Sequence, residues 1–403
     1  MSHLQAIGRY AKTATEDLWS DGRGWILLTV GIGWSLSIGV RFVYPALVPY
    51  FQSDFGIGLT TTGLLLTLLW GAYAVGHVPG GVLGDRIGEG NVVVLSTLVS
   101  AAAVLVVATS VTLPMLFAGT IAFGLATALY GPTRFTIFTD IYPDRAGSAI
   151  GLTMAAGSVG NTVFPVAAAV VASYATWRVG IGAFGPLFVA VAVALWIAVP
   201  KRTSSGSSAV DEFSWEVFAR IKRGISRESI PIVVLVQVTV SFVIQGFSSF
   251  YPTYLAVAKG LSPQLAATLF GLFFAVGALI QPFSGSMLDR FGTRPTLAVS
   301  LGGCIVALWL LPFVQGLVPL VALTVLASTW NGCGVATQTY IASSLPEDMQ
   351  GTGMGTLKAG WMTAGATSPL IIGVLADYGS FDEGFLLLAA VGTIGLVLTL
   401  TRL

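Results

Sequence analysis

The sequence predicts an all-α membrane protein, with twelve transmembrane helices arranged as two pseudo-symmetric six-helix bundles. Three observations carry that prediction. Apolar residues make up 55% of the 403-residue chain and charged residues only 9%, far below the roughly 25% charged typical of soluble domains. Apolar stretches recur along the whole chain, each of the ~20 residues needed to cross the hydrocarbon core as a helix that satisfies its own backbone hydrogen bonds. A short polar turn also occurs twice. Gly81-Val-Leu-Gly-Asp85-Arg86-Ile-Gly88 and Gly285-Ser-Met-Leu-Asp289-Arg290-Phe-Gly292 stand 204 positions apart, about half of the chain. The same offset pairs Ser37 with Ser241, Tyr50 with Tyr254, Gly56 with Gly260 and Leu65 with Leu269. That is an internal duplication.

Composition also excludes several classes. A soluble protein is ruled out, and a net charge of +1 gives no hint of nucleic-acid binding. Cys304 and Cys333 both lie in apolar runs, which indicates neither a disulfide framework nor a thiolate metal site. Residues 1–24 lack the apolar core of a cleavable signal peptide. No nucleophile–base pair, metal-ligand cluster or cofactor motif is evident, so an enzyme is not expected.

In chain order, residues 1–24 form an interfacial segment. Leu4, Ile7, Tyr10, Ala14 and Leu18 fall near helical spacing with Arg9, Lys12, Glu16 and Asp17 between them. The N-terminal bundle is expected over 25–199, with spans at 25–48, 58–83, 91–110, 114–139, 147–173 and 178–199. Residues 200–229 form a linker. It begins Pro200-Lys-Arg-Thr-Ser-Ser-Gly-Ser-Ser and continues into an amphipathic stretch, with Phe213, Val217, Phe218 and Ile221 set against Arg220, Lys222 and Arg223. The C-terminal bundle occupies 230–403, with spans at 231–256, 263–287, 295–315, 317–343, 351–376 and 384–401. Fourteen Lys and Arg fall on the side of the termini and two, Arg178 and Lys259, on the other. Both termini are therefore expected in the cytoplasm, and the protein in the plasma or inner membrane.

Twelve spans, a basic central loop and a Gly-x-Leu-x-Asp-Arg-x-Gly turn after spans 2 and 8 resemble the major facilitator superfamily. The likeness covers essentially the whole chain. It implies two bundles that face each other across a central cavity and rock to expose it alternately to either side. It also implies a gating role for Gly81, Asp85, Arg86, Asp140, Arg145, Asp289, Arg290 and Arg294, which latch the cytoplasmic side while the protein faces outward. Asp85 can face the free amide hydrogens at the start of span 11. Arg86 can pair with Asp140, with Arg145 in the same loop, and Arg290 and Arg294 have Glu347 and Asp348. The plain alternative is a solvated loop with weak surface ion pairs. Glu89-Gly90 depart from the family pattern, which places basic residues there, so the first turn is expected to grip its partners less firmly.

An ionisable residue inside a span is costly and is a functional candidate by default. All eighteen Asp and Glu fall in tails, loops or span ends, whereas Arg41, Arg134 and Lys358 lie within spans 1, 4 and 11. By the 204 offset Arg41 corresponds to Gln245 and Arg134 to Gln338, so two polar sites are built twice, cationic in one half and neutral in the other. Arg41 either contacts substrate, or pairs with backbone carbonyls or packs on Tyr44. Arg134 either contacts substrate or pairs with Asp140 at the gate. Lys358 either serves substrate and gating or snorkels to the cytoplasmic face. His77, the counterpart of Gln281, reads first as packing and only second as a proton carrier. Asn161 and Asn331 read as helix contacts first and cavity donors second; Trp34, Trp70, Trp330 and Trp361 either wall a cavity or cover helix surface. Arg41 before an apolar run and Pro is similar to organic-phosphate and organic-anion branches of the superfamily, and Leu-Lys358-Ala-Gly360 is similar to the oxalate–formate exchangers.

Three interior cations without interior acids make a positive cavity. The expected function is secondary transport of a small anion, a carboxylate or phosphate, by alternating access. The expected substrate-binding residues are Arg41, Gln245, Arg134, Gln338, Lys358, Tyr44, Asn331 and Trp361. The expected partners are that anion, the lipid bilayer and a coupling proton or counter-anion, and the chain is expected to be monomeric. The alternatives are an exporter of neutral or amphipathic compounds with structural arginines, or a non-transporting sensor on the same fold.

Overall fold

In the computed structural model, which describes residues 18–19, 22–203, 230–344 and 350–403, the chain is all helix, with no strand among those residues. Twelve helical stretches are long and apolar enough to cross a membrane. Spans 1 to 5 are Arg23–Phe55, Leu59–Ile87, Glu89–Ala108, Leu113–Ile141 and Ala146–Tyr174. Span 6 joins Trp177–Gly182 to Phe184–Ala198. Spans 7 to 9 are Ile230–Val257, Pro263–Phe291 and Thr293–Leu310. Span 10 runs from Leu317–Ala327 through a tighter 3₁₀ turn at Ser328–Gly332 to Cys333–Ser344. Span 11 joins Gln350–Ala366 to Ser368–Asp377, and span 12 is Phe381–Arg402. The amphipathic readings of 204–229 and 1–17, and the partners Glu347 and Asp348, lie outside the described residues, as does the side chain of Asp85.

Span 1 is longer than its hydropathy predicts. Pro45 and Pro49 sit inside it, and the helix ends only at Gly56, whose φ of 63° is the left-handed conformation that Gly adopts freely. Span 10 is broken where one continuous helix is expected. Its 3₁₀ turn brings Gly332 against the Ser284 and Ser300 side chains, a close approach that hydropathy does not register.

The halves repeat each other in detail. Trp177 packs edge-on against Phe51 at 4.9 Å, and Arg178 pairs with Asp54 at 2.7 Å. Phe381 and Asp382 stand 204 positions after Trp177 and Arg178; Phe381 packs edge-on against Tyr254, the counterpart of Tyr50, and Asp382 accepts the Tyr254 hydroxyl hydrogen. The duplication kept the place of the contact and changed the residues that partner it.

The two bundles meet mainly through spans 2 and 11 and spans 5 and 8, at the end away from the termini. There, β-carbons added at Gly63 and Gly373 would run into the backbone at Pro369 and at Leu59, and one added at Gly271 would meet the Thr162 carbonyl. Thr67 Oγ1 accepts the Leu370 amide hydrogen at 3.1 Å. An aromatic seal lies just inside. Phe42 of span 1 packs on Phe274 at 4.5 Å and Phe270 at 6.1 Å, and Trp70 donates to Ser249 Oγ at 3.2 Å. Toward the termini the same helices diverge. Gly147 and Gly151 of span 5, Gly285 of span 8 and Gly355 and Gly360 of span 11 have open space beside them. A groove of about 550 Å³ opens between spans 5 and 8, lined by Met154, Ser158 and Thr162 on one side and Ala275, Gln281 and Pro282 on the other. The protein is closed at one end and open at the end that carries its termini.

Candidate functional site

Span 1 carries Arg41 eighteen residues past Arg23, about 27 Å along a helix rising 1.5 Å per residue. That places it next to the aromatic seal. Its side chain is 1% exposed; Nε donates to the Ser37 carbonyl at 3.1 Å, and one terminal nitrogen, Nη2, meets no partner. The guanidinium lies 3.5 Å from the centre of the Tyr73 ring and 5.8 Å from that of Trp70. A cation over an aromatic face is favourable, and more so away from water.

Arg134 of span 4 is held in the same manner. It is 1% exposed, 3.4 Å from the centre of the Trp34 ring and 4.4 Å from that of Phe135. One nitrogen reaches the Met154 sulfur at 3.5 Å, while Nε and Nη1 have no partner. Trp34 is itself fixed, stacked on Tyr130 at 6.4 Å, whose hydroxyl donates to the Val30 carbonyl at 2.9 Å. Gly157 and Gly160 let span 5 approach this ring and Ser35 closely, the small-residue packing expected of that stretch.

Lys358 comes from the other bundle. Its charge acts on Tyr73, Arg134 and Arg41, so three cations from spans 1, 4 and 11 converge about one tyrosine. Among the described residues no carboxylate pairs with either arginine. Such buried, incompletely paired donors are costly and are rarely kept without a use.

Gln245, the counterpart of Arg41, is buried; its amide donates to the Met362 carbonyl at 3.2 Å and its oxygen has no partner. Asn331 donates to the Ser328 carbonyl at 3.1 Å and packs on Gly277. Gln338, the counterpart of Arg134, is exposed. Tyr44 and Trp361 belong to bundle cores: Tyr44 stacks on Phe123 at 5.9 Å, and Trp361 clusters with Val233 and Ile341. Sequence reasoning overlooked Tyr73. Its signal is the spacing of Trp70, Tyr73 and His77, which at i, i+3 and i+7 share one helix face.

At the open end, Arg86, Asp289 and Arg290 are exposed. Asp140 accepts a hydrogen bond from Thr203 Oγ1 at 2.8 Å, and Arg202 donates to the Arg86 carbonyl at 3.2 Å. Arg294 donates to the Leu400 carbonyl, which ties span 9 to span 12. Glu89 is buried and accepts the Thr203 amide hydrogen at 2.9 Å. The chain leaving span 6 thus lies over the first polar turn, where Gly88 and Gly90 make room for Lys201 and Pro200.

The profile of the Major Facilitator Superfamily matches residues 27–334 and 233–403. Multidrug resistance protein MdtG of Proteus mirabilis (strain HI4320) is 31% identical over 131 residues, 32% of this chain and 33% of that protein. The match to this relative therefore spans about a third of its length. The cis,cis-muconate transport protein of Acinetobacter baylyi (strain ATCC 33305 / BD413 / ADP1) is 25% identical over 354 residues, 84% of each chain. Among solved structures, a bacterial homolog to the human lysosomal transporter Spinster superposes with a TM-score of 0.76 at 15% identity, covering 94% of this chain and 96% of the other. A mutant of the nucleoside transporter NupG gives 0.76 at 13% identity, covering 93% of this chain and 99% of the other.

Proposed function

The chain belongs to the major facilitator superfamily of secondary transporters, and from that premise we propose that its cargo is a small organic anion bearing a carboxylate or phosphate. One observation carries this reading: Arg41 and Arg134 are buried with unpaired N–H groups, Lys358 joins them around Tyr73, and no carboxylate meets either arginine among the described residues. Such a cluster attracts anions and repels cations. The guanidinium forks suit carboxylate or phosphate, and the aromatic faces of Tyr73, Trp70 and Trp34 hold them in place. Gln245, with its free amide oxygen, and Asn331 are the polar groups the C-terminal bundle would add to that cargo's binding. The muconate relative, which carries a dicarboxylate by its name, supports the same class.

With both termini in the cytoplasm, as the charge asymmetry favours, the closed end is extracellular and this is the inward-open state of alternating access. The bundles are 25–199 and 230–403, joined by the 200–229 linker and preceded by an interfacial segment at 1–24. The chain works as a monomer in the plasma or inner membrane. Closing the cytoplasmic side brings together the turns carrying Gly81, Asp85, Arg86, Asp289, Arg290 and Arg294 with Asp140 and Arg145.

A second reading is favoured by the MdtG likeness and by the aromatic seats of both arginines: the cations pin helices, and the cargo is a neutral amphipath. Thermal stability of the detergent-purified protein separates the two, because a ligand that binds only the folded state raises the melting temperature. The panel is benzoate, oxalate, inorganic phosphate, cis,cis-muconate and neutral lipophilic drugs. A shift with an anion that is lost in Arg41→Gln is the expected result. A shift with neutral compounds alone, retained in Arg41→Gln, would overturn it.

A further inference from the structure

We propose that His77 is the proton-binding residue of this transporter, taking up one proton as an anion enters the cluster and releasing it as the anion leaves. The proposal rests on the anion reading above and gives that cargo a coupling partner.

The geometry begins one helical turn beyond Tyr73. His77 Nδ1 lies 2.7 Å from the Tyr73 carbonyl oxygen. A carbonyl oxygen only accepts, so Nδ1 carries the hydrogen and donates it. In the neutral ring this leaves Nε2 with a bare lone pair. Nε2 is buried and has no partner among the described residues. It faces Gly131 of span 4, where a β-carbon would stand 3.5 Å from Nε2, 3.8 Å from the Tyr73 hydroxyl and 3.9 Å from the Trp34 ring. A basic nitrogen therefore lies between the two rings that seat Arg41 and Arg134, beside a residue without a side chain. Buried polar groups generally find a partner, and Nε2 has none among the described residues.

The charged and titratable groups facing the ring come from every neighbouring element: Tyr73 on its own helix, Arg41 on span 1, Arg134 on span 4 and Lys358 on span 11. Three cations about the ring repel a fourth. An anion bound among them cancels that repulsion and offers an acceptor for an Nε2–H. The ring then takes a proton from the open aqueous side. One carboxylate and one proton add no net charge, so a monoanion crosses the membrane without working against the field. When the anion departs, the three cations expel the proton.

The substitution His77→Gln places in span 2 the residue that the duplicate carries at Gln281, which span 8 accommodates. Calorimetric titration of the purified full chain with benzoate and with cis,cis-muconate, in Tris and in HEPES, counts the protons taken up per anion bound. The wild type is expected to take up one, and its affinity to fall about tenfold per pH unit toward the alkaline side. His77→Gln is expected to bind the same anions with no proton uptake and no such slope. Wild-type binding without proton uptake would overturn the proposal and leave the anion reading standing. Equal uptake by His77→Gln would do the same. Failure of the wild type to bind either anion, at any pH, would overturn both.

Discussion

The carboxylate of Asp377, the last residue of span 11, accepts the backbone amide hydrogen of Leu59, the first residue of span 2, at 2.7 Å. Its second oxygen accepts from the Thr60 amide at 2.8 Å. The opening amides of a helix lack partners and favour a negative charge, so one bundle caps a helix of the other. Replacing Asp377 with Ala removes a cap typically worth about 1 kcal/mol, roughly a fivefold change in an equilibrium. The expected outcome is about fivefold faster labelling, by an impermeant maleimide added at the closed end, of a cysteine placed at Ser249 in a chain with Cys304 and Cys333 replaced by Ala. Ser249 is fully buried behind the aromatic seal. An unchanged rate would remove Asp377 from the closure.

Gly373 approaches span 2 so closely that a β-carbon there would meet the Leu59 carbonyl, with the Gly63 Cα at 3.3 Å. Overpacking at such a contact costs typically about 1–3 kcal/mol. Gly373→Val is therefore expected to wedge the closed end apart, giving faster labelling at position 249 than Asp377→Ala gives. Equal labelling in Gly373→Val and the parent would show that spans 2 and 11 part elsewhere.

Trp34 carries Arg134 on one face, stacks on Tyr130 and receives Gly157 of span 5. Trp34→Ala is expected to lower stability by about 3 kcal/mol through lost packing and a lost cation–π seat. Trp34→Tyr keeps a ring for the guanidinium and is expected to recover most of it. The melting temperatures of the two variants provide the comparison, and equal losses would show that the ring face does not matter.

Gly90, the second residue of span 3, lies directly against the Pro200 carbonyl, and Gly88 holds a φ of 90°. A side chain at either position displaces the chain that leaves span 6, and at Gly88 it is also strained. Gly90→Ala is expected to destabilise the protein by about 1–3 kcal/mol, read as a lower melting temperature. Gly147→Ala, beside open space at the start of span 5, is expected to change little. Parity between them would argue against a packed turn.

Some of the site was legible before any coordinates. Arg41, Arg134 and Lys358 stood out because a charge in a hydrocarbon-length apolar run is costly wherever it ends up. Tyr73 did not, because an aromatic in such a run is ordinary, and only its ring face turned toward a guanidinium set it apart; His77 read first as packing and second as a proton carrier, and its place beside Tyr73 is what brings the second reading forward. The departure at Glu89-Gly90, read from sequence as a weaker grip, turns out to be the seat of the chain leaving span 6.

The sequence by itself determined the twelve spans, their duplication and the set of interior cations. These follow from local quantities: the length of an apolar run, the cost of a charge within it, and a repeat that survives in spacing. Tertiary structure alone decided that those cations meet around Tyr73, that His77 turns a free nitrogen toward them, and that Asp377 closes one end while the other stands open. Each of these depends on how helices distant in the chain are rotated and tilted against one another, and no local pattern encodes that angle.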